Sequence, residues 1–451
     1  MIGSPTPSPQ PQWTSQHLGL TVTKTSWRTT DLVIPGLRRN PRRAHLLVST
    51  VLGKHIPTDP NRVREAADAL ADHAAEAVRR LAPTVAPAEA TVFGFAETAT
   101  GLGHGVAVRL GSRCYLQSTR RSAPDATVYG EFTEGHSHAT LHLIQGRFPP
   151  PFAERPSELA SFGVSRRVDT PAQRAPLILV DDEISTGATA IDAIRSLHAI
   201  SAHPAYVVAS LVDMRSDADC RANTAAARDL GVDIEFVALA NGSVTLPDAL
   251  PDAVSDLTPE PFNPVAAQSG AVDFLSVDWP ADVPDGGRFG FHADDAAGFT
   301  AAVSDAATLI RARLREGGVV VVGHEELMYL PQRIAQALAA DGHRVGYQTT
   351  TRSPAVVLDE PGYPLRRGFE FVAPEPDSTA RRYLYNATLD AAQPSQLVLV
   401  VDTPADTAEL RCPGGVLDVL TRAGHDVLVV VVAAPTQAGL RDARARRQEV
   451  R

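Results

Sequence analysis

Lysine is almost missing from this 451-residue chain: only Lys24 and Lys54 are lysines, and the other 40 of its 42 basic residues are arginines. An ammonium is a compact point charge and a guanidinium a planar fork, so the two are not interchangeable. A lysine kept against such a background is a candidate for chemistry. Lys54, in Gly53-Lys54-His55-Ile56-Pro57, fits that description better than Lys24. Excess positive charge is lacking too: the net charge of −10 excludes bulk nucleic-acid binding. The arginine clusters Arg39, Arg42 and Arg43, Arg120 and Arg121, and Arg366 and Arg367 read as local anion contacts or solvated faces. Cysteine is scarce. Cys114, Cys220 and Cys412 are scattered and lack metal-ligand spacing, which fits a reducing cytoplasm. Long apolar runs are absent as well. Val319–Val322, Leu397–Val401 and Val427–Ala434 are strand-sized, far from the ~18 residues of a membrane span. The first residues carry no basic start followed by an apolar core, so no secretion signal is expected.

What is present is hydrophobic content of 44%, ample for packed cores, over a length that suggests two or three domains. Residues 1–16, Pro-, Ser- and Gln-rich, read as a disordered tail. Residues 17–257 read as a first α/β domain. Asn61–Leu81 has a helical apolar stripe at Val63, Ala67, Leu70, Ala74, Val78 and Leu81, with Pro83 beyond its end. Ala90–Phe95, Arg113–Thr119, Tyr206–Val212 and Ile234–Leu239 read as strands of a mostly parallel sheet. Residues 258–285, rich in Pro, Asp and Gly, read as a linker. Residues 286–451 restart the alternation, with strands expected at Gly318–Gly323, Arg344–Thr349, Gln396–Asp402 and Asp426–Ala433 and a helix at Leu330–Ala340.

The most informative segment is Leu177-Ile-Leu-Val-Asp-Asp-Glu-Ile-Ser-Thr-Gly-Ala-Thr189. Four apolar residues suit a buried parallel strand. Asp181 and Asp182 follow at its carboxyl end, where open α/β sheets bind ligands. The small-residue loop Ser185 to Thr189 then opens a helix striped by Ile191, Ile194, Leu197 and Ile200. Such a loop can aim backbone N–H groups and hydroxyls at one phosphate, aided by the helix N-terminus. Carboxylates beside a phosphate cradle suit a sugar phosphate: acids for the ribose hydroxyls, loop for the 5′-phosphate. A plain strand-to-helix turn capped by Asp182 or Ser185 would explain one carboxylate, but neither the pair nor the loop.

This segment resembles the phosphoribosyl-pyrophosphate (PRPP) motif of the type I phosphoribosyltransferases. The resemblance implies a doubly wound, mostly parallel α/β fold. It implies that Asp181 and Asp182 hold the ribose hydroxyls, that Ser185, Thr186, Gly187, Ala188 and Thr189 hold the 5′-phosphate, and that Glu183 belongs to the same PRPP site. The Gly-rich loop Glu97, Thr98, Ala99, Thr100 and Gly101 lies where the family holds pyrophosphate. A mobile loop over Arg113–His142 is expected to close over PRPP, with Arg120, Arg121 and Lys54 offsetting diphosphate charge. Mg²⁺ is expected as a substrate-bound cofactor, without direct protein ligands. His136, His138 and His142, with Glu131 and Glu134, could suggest a metal, but hydrogen-bonding or acid–base roles are commoner for such histidines. The orotate enzymes carry a lysine in this loop and this chain has none, which places orotate in doubt as acceptor.

Gly53–Pro57, Ser118–Arg121, the Glu134–His138 run and Thr351-Arg352-Ser353-Pro354 together resemble one group. It is the two-domain bacterial family with an orotate-phosphoribosyltransferase-like domain followed by a TRSP domain, associated with tellurite-resistance gene clusters. Thr351, Arg352 and Ser353 are a candidate second site, with a Ser-Pro turn as the rival reading. The expected activity is Mg²⁺-dependent transfer of ribose 5-phosphate from PRPP to a nucleobase-like nitrogen nucleophile, in a cytoplasmic homodimer without nucleic-acid or membrane partners. The alternative is a non-catalytic PRPP- or nucleotide-sensing scaffold. Tyr115–Ser122 also matches Tyr347–Pro354, so the second domain is expected to be a degenerate duplicate of the first, with Asp402 near the position of Asp181 and no PRPP affinity.

Overall fold

The computed structural model describes residues 12–24, 29–40, 43–123, 126–133, 141–146, 174–375, 380–390 and 393–449. In the first half, β1 (Thr21–Lys24) precedes a hairpin of β2 (Val33–Leu37) and β3 (His45–Ser49). Then come β4 (Val92–Gly94), β5 (Cys114–Gln117), a second hairpin of β6 (Gly130–Thr133) and β7 (Leu141–Ile144), β8 (Leu177–Ile184), β9 (Ala205–Asp213) and β10 (Asp233–Thr245). The second half holds β11 (Val272–Val277), β12 (Phe291–His292), β13 (Val319–Gly323) and β14 (Val345–Thr349). A hairpin of β15 (Gly368–Val372) and β16 (Arg381–Tyr385) follows, then β17 (Gln396–Asp402) and β18 (Val427–Val432).

Two main sheets result. The first runs β1-β10-β9-β8-β4-β5-β12, parallel throughout its five central strands and antiparallel at both ends. The second runs β11-β18-β17-β13-β14 and is parallel throughout. Their cores are what the apolar runs dictate: Leu177–Val180 and Val319–Val322 are buried on both faces. The fold is therefore the expected doubly wound α/β architecture with a second α/β domain.

The helix Pro60–Leu81 shows how local chemistry sets one layer. Asp59 caps it by accepting from the Asn61 N–H at 2.8 Å, and Pro60 sits in the first turn, where a missing N–H costs nothing. Val63, Ala67, Leu70, Ala74 and Val78 are buried against the sheet and the helix Ala99–Leu110. Burial of a side chain like Leu70 contributes about 1.5–3 kcal/mol.

Three boundaries differ from expectation. Residues 1–11 of the tail lie outside the described residues, but Trp13–Leu18 is a helix, with Trp13 packed edge-on against Tyr363. The linker contains β11, an edge strand on β18; its residues are mostly exposed, Val277 alone being buried, so no strand-like burial pattern marks it. And β12, from the second half, pairs with β5 of the first sheet, Phe291 facing Tyr115. Among the described residues no helix is long and apolar enough to cross a membrane.

Candidate active site

In the first sheet the connections reverse direction between β4 and β8, which lie side by side with Gly94 opposite Val180. Ligands of open α/β sheets bind outside the carboxyl ends at such a reversal. A cleft of about 170 Å³ lies there. Its floor is the run Asp181 to Gly187 with Thr189, and its walls include Glu97, Thr98, Lys54, Arg120 and His142.

The carboxylates Asp181, Asp182 and Glu183 are half-buried, with Asp181 accepting from the Asp182 N–H at 2.9 Å. Glu183 is ion-paired at 2.6 Å with Arg43, from the loop of the β2–β3 hairpin. After β8 the chain turns through Gly187 at φ +79° and enters the helix Ala188–Ile200. A Cβ on Gly187 would stand 2.3 Å from Asn223 Oδ1, so only glycine fits. The first N–H groups of a helix have no partner within it, and Gly187, Thr189 and Ala190 at the start of this one line the cleft, the type of place that seats an anion.

Lys54 donates to Thr98 Oγ1 at 2.9 Å, which puts its ammonium beside the loop expected to hold diphosphate. Its own loop is anchored by the second domain. Gly53, at φ +75°, lies so close to Tyr347 that a Cβ would be 2.6 Å from the ring, and its carbonyl accepts from the Thr349 N–H at 2.8 Å. His142 is buried, stacked on Phe132 at 4.4 Å and hydrogen-bonded to Ser118 Oγ at 2.9 Å. Glu131 is exposed, while Glu134, His136 and His138 lie outside the described residues.

Several expected assignments change. In the diphosphate loop only Glu97 and Thr98 face the cleft. Ala99, Thr100 and Gly101 form the first turn of the helix Ala99–Leu110. Thr100 Oγ1 is turned to the Glu326 carbonyl at 3.0 Å, and Gly101 packs on Met328. Ala188, at the start of its helix, is exposed and outside the lining. Arg121 departs most. It is buried in the second domain, with Nη1 bonded to both oxygens of Asp402 at 3.1 and 3.2 Å and Nη2 2.7 Å from Glu375. Arg120 stays in the lining of the cleft, so these two neighbours serve different places.

The candidate second site proves to be part of the first. Arg352 and Ser353 line the same cleft as Asp182. Thr351 is fully buried and donates to Glu97 Oε1 at 2.7 Å, as does the Arg352 N–H at 3.2 Å. The guanidinium of Arg352 is bidentate on Glu325 at 2.8 and 3.0 Å, and 3.6 Å from Glu97.

Arg38 and Arg43 also line the cleft and were not singled out as site residues from sequence. The Arg38–Arg43 cluster at a hairpin turn was the available signal. Burial, with Arg43 beside it, lowers the pKa of Arg38, and burial and both arginines push His45 down to about 4. Cations crowded at a half-buried wall mark a place for an anion.

Behind this wall lies a buried ionic cluster. Arg121 faces Asp402, Glu375 and Glu325; Arg288 stands 3.6 Å from Glu326; and Arg382 pairs with Glu325. Burial alone would raise the carboxyls of Glu326 and Asp402, but Arg288 and Arg121 hold both below their ordinary values. His324, Glu325 and Glu375 approach within 4.8 Å of one another. Arg121, Arg352 and Arg382 are ion-paired with the two carboxylates of that trio.

Residues 32–243 match the family model described as phosphoribosyl transferase, and residues 285–420 the one described as the TRSP domain C-terminal to it. No curated protein matches the chain. Solved structures similar to it include adenine phosphoribosyltransferase from Trypanosoma brucei, in complex with AMP, pyrophosphate and ribose-5-phosphate. It is 12% identical with a TM-score of 0.29, over 46% of this chain and 76% of that one. The enzyme from Rhodothermus marinus is 15% identical with a TM-score of 0.28, over 46% and 93% of the two chains. That from Giardia lamblia, complexed with 9-deazaadenine, is 15% identical with a TM-score of 0.27, over 46% and 94%.

Proposed function

We propose that this chain, which belongs to the family in which a phosphoribosyl transferase domain is followed by a TRSP domain, transfers ribose 5-phosphate from PRPP to a nitrogen nucleophile with release of pyrophosphate. The observation that carries the reading is one cleft holding both parts of the motif: Asp181 and Asp182 beside the Ser185–Thr189 loop, with Lys54, Glu97 and Arg120 on the facing wall.

In this reading the 5′-phosphate rests on the N-terminus of the helix Ala188–Ile200, and the carboxylates of Asp181 and Asp182 accept from the ribose hydroxyls. As the C1–O bond to diphosphate breaks and the bond to nitrogen forms, positive charge develops on the sugar. The half-buried carboxylates stabilise it there, and Lys54 and Arg120 take up the charge of the departing diphosphate. The oxygen-rich rim of Asp181, Asp182, Ser185 and Thr186 is the donor type Mg²⁺ takes. The ion would arrive on the substrate and neutralise diphosphate charge.

The acceptor is a nucleobase-like molecule. An apolar hollow of about 390 Å³ adjoins the cleft and shares Arg38 and Ser353 with it. Pro259, Pro261, Phe262 and Val357 line it, which suits a flat, weakly polar body.

Mass spectrometry after incubation with PRPP, Mg²⁺ and a panel of nucleobases tests this. A nucleotide mass with matching pyrophosphate release is expected, and PRPP binding should fall ten- to a hundredfold in Asp182→Asn with the fold intact. PRPP left unconsumed by every acceptor, with Asp182→Asn binding it as tightly as the parent, would refute the assignment.

A further inference from the structure

The two sheets follow one plan. In chain order, β4, β5, β8 and β9 of the first and β13, β14, β17 and β18 of the second take the same sheet order, β9-β8-β4-β5 against β18-β17-β13-β14, all parallel. Each second strand leads to an antiparallel hairpin, β6–β7 or β15–β16. The hydrogen bonds repeat in detail. The Ser118 N–H donates to the Gly94 carbonyl and the Thr350 N–H to that of Gly323, both at 3.0 Å. The Ala96 N–H donates to Ser118 Oγ, and the Glu325 N–H to Thr350 Oγ1. Thr119 bridges Leu143, and Thr351 bridges Tyr383.

The contact between the halves is reciprocal. Thr119 Oγ1 and the Arg120 N–H donate to Glu326 of the second half, at 2.6 and 2.5 Å. Their counterparts Thr351 Oγ1 and the Arg352 N–H donate to Glu97 of the first half, at 2.7 and 3.2 Å. One patch thus meets its own equivalent, the signature of a twofold dimer.

The symmetry breaks one residue further on. Arg121 enters the second centre and lies on Asp402, whereas its counterpart Ser353 is small and lines the open first cleft. The register places Asp402 opposite Asp182, not Asp181: Gly94 faces Val180, Gly323 faces Val400, and each aspartate is two residues beyond. The second loop is also rebuilt as the short turn Thr403–Ala405, in which Pro404 has no N–H to offer.

We propose that the TRSP domain is a second, disarmed copy of the first domain, packed on it as an internal dimer, and that its Thr351-Arg352-Ser353 turn is a working part of the first copy's substrate site. Arg352 faces the diphosphate, Thr351 holds the Glu97 loop in place, and Ser353 keeps the cleft open where Arg121 fills the other. One sugar phosphate binds per chain. This rests on the PRPP reading of the cleft.

Titration calorimetry on the full chain, with pyrophosphate and ribose 5-phosphate as separate probes in Mg²⁺, tests it. The parent protein should bind one equivalent of each. Arg352→Gln should weaken pyrophosphate at least tenfold and leave ribose 5-phosphate within twofold, and Arg352→Lys should recover part of the loss. Ser353→Arg should abolish ribose 5-phosphate binding, with the thermal midpoint retained, by setting a guanidinium on Asp182 as Arg121 sits on Asp402. Ser353→Lys is the smaller alternative should the arginine unfold the chain. Parental affinity for both probes in the Arg352→Gln and Ser353 variants, or two equivalents per chain, would overturn the proposal and leave the PRPP reading standing. A parent that binds neither probe would overturn both.

Discussion

Arg121 and Asp402, 281 positions apart, are joined by paired hydrogen bonds at 3.1 and 3.2 Å inside a wall that water hardly reaches. The bond ties the loop after β5 to the end of β17, so the two halves share one buried centre of charge.

Replacing Arg121 therefore differs from replacing its neighbour. Arg121→Met leaves Asp402 and Glu375 buried with too few cations, and such a break costs about 3–5 kcal/mol. Arg120→Met, on the cleft side, should lower PRPP affinity with less effect on stability. Urea unfolding and PRPP titration of both variants check this; equal stability losses would contradict the division of labour.

Acid should loosen this centre. Burial raises the Glu375 carboxyl, but His324 and then Arg121 outweigh it and hold it below its ordinary value, as the arginines do for Glu326 and Asp402. For depressed carboxyls the stabilisation is full above the unfolded pKa, about 4, and is lost as pH falls through the folded values. Asp285 has the opposite sign: burial, against the pull of Arg288, pushes it up to about 6. Between about pH 4 and 6 the unfolded chain ionises there first, so stability falls as pH rises. Asp285→Asn should remove that slope and stabilise the protein at pH 7 by at most about 3 kcal/mol, less where water screens this partly exposed residue. Thermal midpoints of parent and variant from pH 3 to 8 read out both effects.

Lys54→Arg should lower kcat/KM by roughly tenfold, about 1.4 kcal/mol, although charge is kept. The Lys54 ammonium occupies a place measured by its 2.9 Å bond to Thr98, on a loop pinned by Tyr347, and a forked guanidinium does not fit it. Steady-state kinetics of Lys54→Arg and Lys54→Ala decide; parental values in both would release Lys54 from the site.

Gly187→Ala should destabilise by more than about 1 kcal/mol and weaken ribose 5-phosphate binding together, because φ is +79° and the new methyl meets Asn223. A variant that melts with the parent and binds alike would show that the turn relaxes freely.

Much of the site was legible because it is local. Leu177–Thr189 carries strand, carboxylates and phosphate turn in one continuous run, and the helix expected at Asn61–Leu81 forms at Pro60–Leu81. What stayed hidden depends on contacts that no nearby pattern encodes. Thr351 reaches Glu97 across 254 positions, so its turn looked like a separate site. The parting of the Arg120–Arg121 doublet is of the same kind, because Arg121 is drawn to Asp402, 281 positions away.

The two-residue strand β12 has a consequence for solubility. Phe291 and His292 cover the outer side of β5, and Phe291 sits on His104 at 4.4 Å and Phe299 at 5.5 Å. A fragment cut at residue 285 would bare both an unpaired row of backbone groups and the aromatic cluster beneath it, an invitation to intermolecular pairing and precipitation. The first half is thus guarded against aggregation by residues that the second half supplies.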